Sequence, residues 1–253
     1  MKNKKKNNNI DPFSSITEVK NLQLLKKIFD ENPLGDDLFN AIPLFLKRQT
    51  LMKIFYFKDL YEKVLDKEGS IFIFGCRYGS DLSILTSLRG ILEPYNHNRK
   101  IFAFDTFQGL KGTSSKDTKR VIAGDGSYST KLGFEKVLEK VISIQESFSP
   151  ISHIKKFQII KGDVKKTLKP FLKSKPENIA SLVIMDMDIY APTKFVLQNI
   201  KSCTHKGTIL AFDESNWEAF PGPTIAFKEV FGLKNYIIRK SKYSPVPSYV
   251  QLV

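Results

Sequence analysis

From Ser70 onward the chain alternates short apolar runs with helical segments, and few folds accept that rhythm. The runs are "SIFIFG", "KIFAFD", "FQIIKGD", "IASLVIMD" and "GTILAFDE". Between them lie "SDLSILTSLRGIL", a polar loop to about Thr130 followed by "KLGFEKVLEKVISIQESF", then "VKKTLKPFLK" and "PTKFVLQNIKS". Strands that alternate with helices predict a parallel sheet covered on both faces. After "TIAFKEVFGL" come two more runs, "NYIIRK" and "SYVQLV", with only the turn-rich "SKYSPVP" between them. Lacking a crossover helix, they should pair as an antiparallel hairpin at the sheet edge. The expected fold is therefore α/β: a Rossmann-like, seven-stranded, mostly parallel sheet ending in an antiparallel hairpin. That arrangement suits the class I methyltransferase architecture. A nicotinamide dehydrogenase is disfavoured, because the first strand is not followed by GxGxxG.

Ahead of this pattern the reading places a disordered basic tail over residues 1–12 and a helical extension over 13–69, leaving 70–253 as the catalytic domain. The first helix is expected in "SSITEVKNLQLLKKIFDENP", with a Ser/Thr start, Leu22, Leu25, Ile28 and Phe29 at helical spacing, and an end before Pro33. A second helical region, "IPLFLKRQTLMKIFYFKDLYEKVLDKEG", stops at Gly69 and is expected to cover the core. A chain of 253 residues with 42% hydrophobic and 12% aromatic content can bury a sizeable core. No apolar run is long enough to cross a bilayer, and the basic start is not followed by a signal-type apolar stretch. The expectation is a soluble, cytoplasmic protein. Cys76 and Cys203 lie far apart without CxxC spacing and read as buried thiols.

The net charge of +14 raises the question of nucleic acid. Lys2, Lys4, Lys5 and Lys6 sit in the tail and the rest is spread along amphipathic stretches, so a solvated basic surface is the main reading. Attraction for an anionic ligand such as a phosphorylated metabolite is the second, and nucleic acid is disfavoured.

Ligands of open α/β sheets bind beyond the carboxyl ends of the strands, where strand order reverses. After the first strand, "GCRYGSD" offers Gly75 and Gly79 around a tight turn and Ser80-Asp81 as an N-cap. The second strand ends in Asp105, placed to accept hydrogen bonds from ribose hydroxyls or to cap a helix or turn. The third ends in Gly162-Asp163, which can face an adenine edge or cap the following helix. Taken in order, these strand ends describe an adenosine pocket. The fourth strand ends in Asp186 and Asp188 and the fifth in Asp213 and Glu214, one crossover apart. Three or four carboxylates meeting there would repel unless a cation joined them. All-oxygen ligation points to magnesium first, then calcium or manganese. His97, His153 and His205 sit away from strand ends and read as surface or loop residues.

The segments "GCRYGSDLSIL", "FAFDTFQGL", "GSYS", "KGDVKKTL", "MDMDIYAPT", "AFDESNWEAFPGPTIAFKEVFGL" and "SYV" resemble the macrocin O-methyltransferase family, closest to its deoxyhexose 3-O-methyltransferase branch. The similarity spans roughly residues 40 to 253. It implies a class I fold, S-adenosylmethionine as donor, magnesium, and a sugar or nucleotide-sugar hydroxyl as acceptor. By the same resemblance Gly75, Cys76, Tyr78, Gly79 and Ser80 would hold the methionine part of the donor. Asp105, Thr106 and Phe107 would take the ribose side and Gly162 and Asp163 the adenine side, with Asp186 also bordering the donor. The metal triad would be Asp186, Asp213 and Glu214, and the catalytic pair Asp186 and Asp213, with Asp188 in support. Tyr128 is expected to lid the pocket, and Trp217 with Pro221 to Pro223 to wall the acceptor side. Two departures stand out: Ile73 where many members carry glutamate, and Asp213-Glu214 where many carry Asp-Asp. Rival readings are an RNA methyltransferase, suggested by the charge, and a non-catalytic donor-binding partner, suggested by Ile73. The residues leave room for a homo-oligomer.

Overall fold

Five apolar runs form five adjacent strands of one seven-stranded sheet in the computed structural model, which describes residues 15–117 and 124–253. The predicted tail over 1–12 lies outside the described residues. The strands are β1 (Ser70–Phe74), β2 (Ile101–Asp105), β3 (Phe157–Lys161), β4 (Ala180–Met185), β5 (Thr204–Phe212), β6 (Arg239–Lys240) and β7 (Ser248–Gln251), in the order β3-β2-β1-β4-β5-β7-β6. All neighbours pair parallel except β5–β7 and β7–β6, which are antiparallel. The helices are α1 (Ile16–Glu31), α2 (Arg48–Glu62), α3 (Ser80–Leu92), α4 (Phe134–Ser147), α5 (Val164–Ser174), α6 (Tyr190–Ile200) and α7 (Gly222–Val230).

Side chains of a strand leave alternately to its two faces, so each inner strand feeds two cores. Ile71 and Ile73 of β1 join Leu82 and Leu85 of α3 and Ile142 of α4 on one face. Phe72 and Phe74 join Phe102, Phe104 and Phe171 of α5 on the other, where the Phe74 and Phe104 rings stack at 4.9 Å. Burial of each such side chain contributes roughly 1.5–3 kcal/mol. Among the described residues no helix is long and apolar enough to cross a membrane.

The chain divides into a unit ending at Lys53 and a unit running from Ile54 to Val253. In the first, Ser15 and Glu18 form a capping box at the start of α1, and the helix stops at Asn32 with φ 46, just before Pro33. The division falls inside α2. In the second unit Tyr56, Phe57, Leu60 and Tyr61 of α2 are buried, and the Tyr56 hydroxyl donates to the Ser248 carbonyl at 3.0 Å. β6 is only two residues long, shorter than the predicted run from Asn235: Ile237 and Ile238 fall outside the strand and are solvent-exposed.

Register carries the strand ends to one level. Phe74 stands beside Phe104 and Met185. The hydrogen-bond ladder runs one step further: Gly75 donates to the Phe104 carbonyl at 2.9 Å and Asp186 to that of Phe74 at 2.8 Å. Gly162 likewise donates to the Asp105 carbonyl at 2.8 Å and Asp213 to that of Met185 at 3.1 Å. The strand order reverses between β1 and β4.

Candidate active site

The glycine turn is fixed by a backbone collision. Gly75 has φ +89, and a Cβ there would lie 1.8 Å from the Asp186 carbonyl oxygen. Only glycine lets the exits of β1 and β4 pass so closely. Beyond it, the Asp105 carboxylate pins the loop: Oδ2 accepts from the Cys76 N–H at 2.8 Å and the Arg77 N–H at 2.7 Å, and Oδ1 accepts from the Phe107 N–H at 2.6 Å. Gly79, with φ +78, takes the N-cap position of α3 without a side-chain bond, so Ser80 is the first helical residue and not the cap. A Cβ on Gly79 would lie 2.2 Å from Leu138 of α4.

The other predicted donor residues fall around the same turn. The Thr106 hydroxyl donates to the Gly109 carbonyl at 3.2 Å and accepts from the Gln108 N–H at 3.1 Å. Phe107 is buried in the core with φ 57, so its side chain faces protein. Gly162 has φ +141, and Asp163 caps α5 by accepting from the Lys165 N–H at 2.9 Å. Of the two roles open to Asp163, capping is the one formed here. Burial pushes the Cys76 thiol well above its ordinary value, and Asp105, Asp81 and Asp186 add to the rise. Burial also raises Cys203 to about 11, so neither cysteine is primed as a thiolate.

At the end of β4, Asp186 and Asp188 meet Glu214: one carboxylate oxygen from each lies within 4.8 Å of the others. Asp188 has φ +62, a left-handed bend between β4 and α6 that the sequence did not reveal. Asp213, expected in the triad, is not in this group, and Asp188, expected in support, is. Neighbouring residues at a strand end diverge, and it is Glu214 that faces the cluster. Burial raises the Glu214 carboxyl well above 4.5, reinforced by the charges of Asp188, Asp213 and Asp186 and by a hydrogen bond with Asp188. Its Oε2 is buried without a hydrogen-bond partner among the described residues. An oxygen-only set of three carboxylates, in which burial and the neighbouring negative charges push Glu214 upward for lack of a counter-charge, fits a hard divalent cation.

Two loops knit over this end of the sheet. After β2 the chain doubles back: Leu110 donates to the Ser127 carbonyl at 2.9 Å and Thr130 to that of Phe107 at 3.3 Å. Sequence reasoning missed Arg77 here, whose guanidinium lies 4.7 Å from the Tyr78 ring centre and 5.0 Å from that of Tyr128. It ties the glycine turn to the loop bearing Tyr128 by cation–π contact. Asp117 was also missed. Buried at 6% exposure, it accepts from the Tyr190 N–H at 2.6 Å and so caps α6, and a Cβ on Gly222 would lie 2.3 Å from its Oδ1. Nearby, hydrogen bonds from Lys116, Lys194 and Tyr190 hold Glu229 down to about 2. Trp217 packs on Phe220 with ring centres 5.3 Å apart, and both join Leu110 of the other loop. His97 and His153 are exposed, and His205 lies half-buried against the Glu68 carbonyl, away from the site. Ile73 is fully buried in the core.

The strand order, the glycine turn at its reversal and the acids closing β2, β4 and β5 define a class I methyltransferase. Neither a protein-family model nor a curated protein matches the chain. Solved structures do. The calicheamicin methyltransferase CalS11 is 34% identical over 94% of this chain and 93% of its own, with a TM-score of 0.91. An apo structure of CalS11, described as a TDP-rhamnose 3'-O-methyltransferase of calicheamicin biosynthesis, is 32% identical over 94% and 95% with a TM-score of 0.82. The O-methyltransferase NovP shares the fold at 14% identity, with 80% of each chain covered and a TM-score of 0.59. The chain belongs to the deoxysugar O-methyltransferase family that CalS11 represents.

Proposed function

We propose that this protein transfers the methyl group of S-adenosylmethionine to a hydroxyl of a deoxysugar carried on a nucleotide, in the cytoplasm. The observation that carries the reading is the contact of Gly75 with the Asp186 backbone, which sets the donor turn directly against the carboxylate cluster. The donor's adenosine would lie over the ends of β2 and β3. There Asp105 is held rigid by three backbone N–H groups and, as a carboxylate with about four lone-pair sites, keeps about one for a ribose hydroxyl. Gly162 leaves space beside it, and the Gly75–Ser80 turn would take the methionine portion.

Asp186, Asp188 and Glu214 would hold magnesium or another hard divalent cation. Such an ion would supply positive charge that makes a nearby sugar hydroxyl more acidic. The protein's own task is alignment, since the sulfonium methyl is already activated and the attacking oxygen must stand in line with it. Asp186 is placed for this, with its backbone at the donor turn and its carboxylate in the cluster, where it can accept the hydroxyl proton. Asp213 acts on the cluster through its charge on Glu214. The buried carboxylates disfavour a phosphate backbone, and the sugar enzymes among the similar structures favour a catalyst over a silent donor-binding partner. Incubation with S-adenosylmethionine, magnesium and TDP-rhamnose, or a panel of related nucleotide-deoxysugars, should yield a product heavier by one methyl group in mass spectrometry. No methylated product across the panel would refute the reading.

A further inference from the structure

Beside the carboxylate cluster, between the end of β5, α7 and the start of β7, lies a cavity of about 340 Å³. Its volume is in the range of small-molecule pockets. Phe212, Phe227, Ile238 and Val250 give it apolar walls, and Glu214 and Ser248 also line it. Ser248 is 5% exposed and its Oγ has no hydrogen-bond partner among the described residues. A buried hydroxyl without a partner is costly, and this one belongs to a residue that lines the cavity. Lys228, exposed on α7, is the cation among the lining residues. Glu214 lines the same cavity, so a multiply charged group would be poorly matched.

We propose that this cavity seats an uncharged, ring-sized, oxygen-bearing part of the acceptor, its apolar face on Phe212, Phe227 and Val250 and one oxygen on Ser248. This rests on the acceptor reading above, because Glu214 belongs to both the cavity and the cluster. The ring has two sources: the sugar being methylated, through its deoxy edge, or an apolar group attached to that sugar.

The probe is 4-fluorophenol, an uncharged ring with one hydroxyl, titrated into the full chain and followed by fluorine NMR. Saturable binding is expected. It should weaken about three- to tenfold in Ser248→Ala, the effect of one lost hydrogen bond, and vanish in Ile238→Trp, which crowds the cavity from an exposed position. Ser248→Ala should melt no lower than the wild type, since it removes an unpaired hydroxyl. In methyl transfer both variants should raise the acceptor KM while donor affinity stays unchanged. A KM rise on a nucleotide-deoxysugar assigns the ring to the sugar, and a rise only on deoxysugars bearing an aryl group assigns it to the attached group. Absence of probe binding, or equal binding by Ser248→Ala, would overturn the pocket. Probe binding with both KM values unmoved would overturn its link to the acceptor. Should no deoxysugar be methylated, the functional reading fails while the probe titration still decides the pocket.

Discussion

Single residues set the site through contacts that admit few substitutes. Gly75→Ala would drive a methyl group into the Asp186 carbonyl at a positive φ. Strain and overpacking of that kind cost about 3 kcal/mol or more. Its denaturant midpoint should fall accordingly, with donor binding lost at temperatures where the fold survives. Glu214 makes a prediction about pH. Its folded carboxyl titrates well above the ordinary 4.5, so between that value and its folded pKa the native state binds the extra proton. The linked stability is complete below about pH 4.5 and is lost as the pH rises through the folded value. Without divalent cation, stability should therefore decline with rising pH over that window, and Glu214→Gln should flatten the decline. An unchanged slope in Glu214→Gln would show that another group titrates there.

At the scale of elements, two acids that look alike in sequence do different work. Asp163 caps α5, so Asp163→Ala should cost about 1 kcal/mol of stability with little change in donor affinity. Asp105 holds the turn after β1, so Asp105→Asn should weaken S-adenosylmethionine binding by about ten- to a hundredfold, the scale seen when groups that orient a ligand shell are lost, measured by isothermal titration. Equal effects of the two substitutions on donor binding would contradict the assignment. Strand-helix alternation, the closing hairpin and the acids at strand ends were all legible, because apolar periodicity and turn residues are local signals. The partition among the acids was not. Asp188 enters the cluster through a left-handed bend that its sequence neighbours do not announce, and Asp213 drops out because Glu214 is the one turned inward. Arg77 and Asp117 were equally invisible, since each acquires its role from partners on distant segments: Tyr128 for the first, Tyr190 and Gly222 for the second. β6 was overextended because apolar content alone does not distinguish a covered strand from an exposed edge.

At the scale of the whole molecule, the sheet brings five strand ends level and the reversal between β1 and β4 sets the proposed donor turn beside the carboxylates. A chain with a formal charge of +14 thereby concentrates acid at one end of its sheet. The central claim is that Asp186, Asp188 and Glu214 act together through a bound divalent cation in sugar O-methylation. The most direct test is the rate of methyl gain on a nucleotide-deoxysugar, followed by mass spectrometry with and without chelator, for the wild type, Asp188→Asn, Glu214→Gln and Asp213→Asn. The account predicts that chelation abolishes transfer and added magnesium restores it. It also predicts that Asp188→Asn and Glu214→Gln lose at least about a hundredfold in rate, as removal of a key electrostatic group does, and that Asp213→Asn loses less. Turnover that persists undiminished in chelator, or an Asp188→Asn enzyme as fast as the wild type, would contradict it.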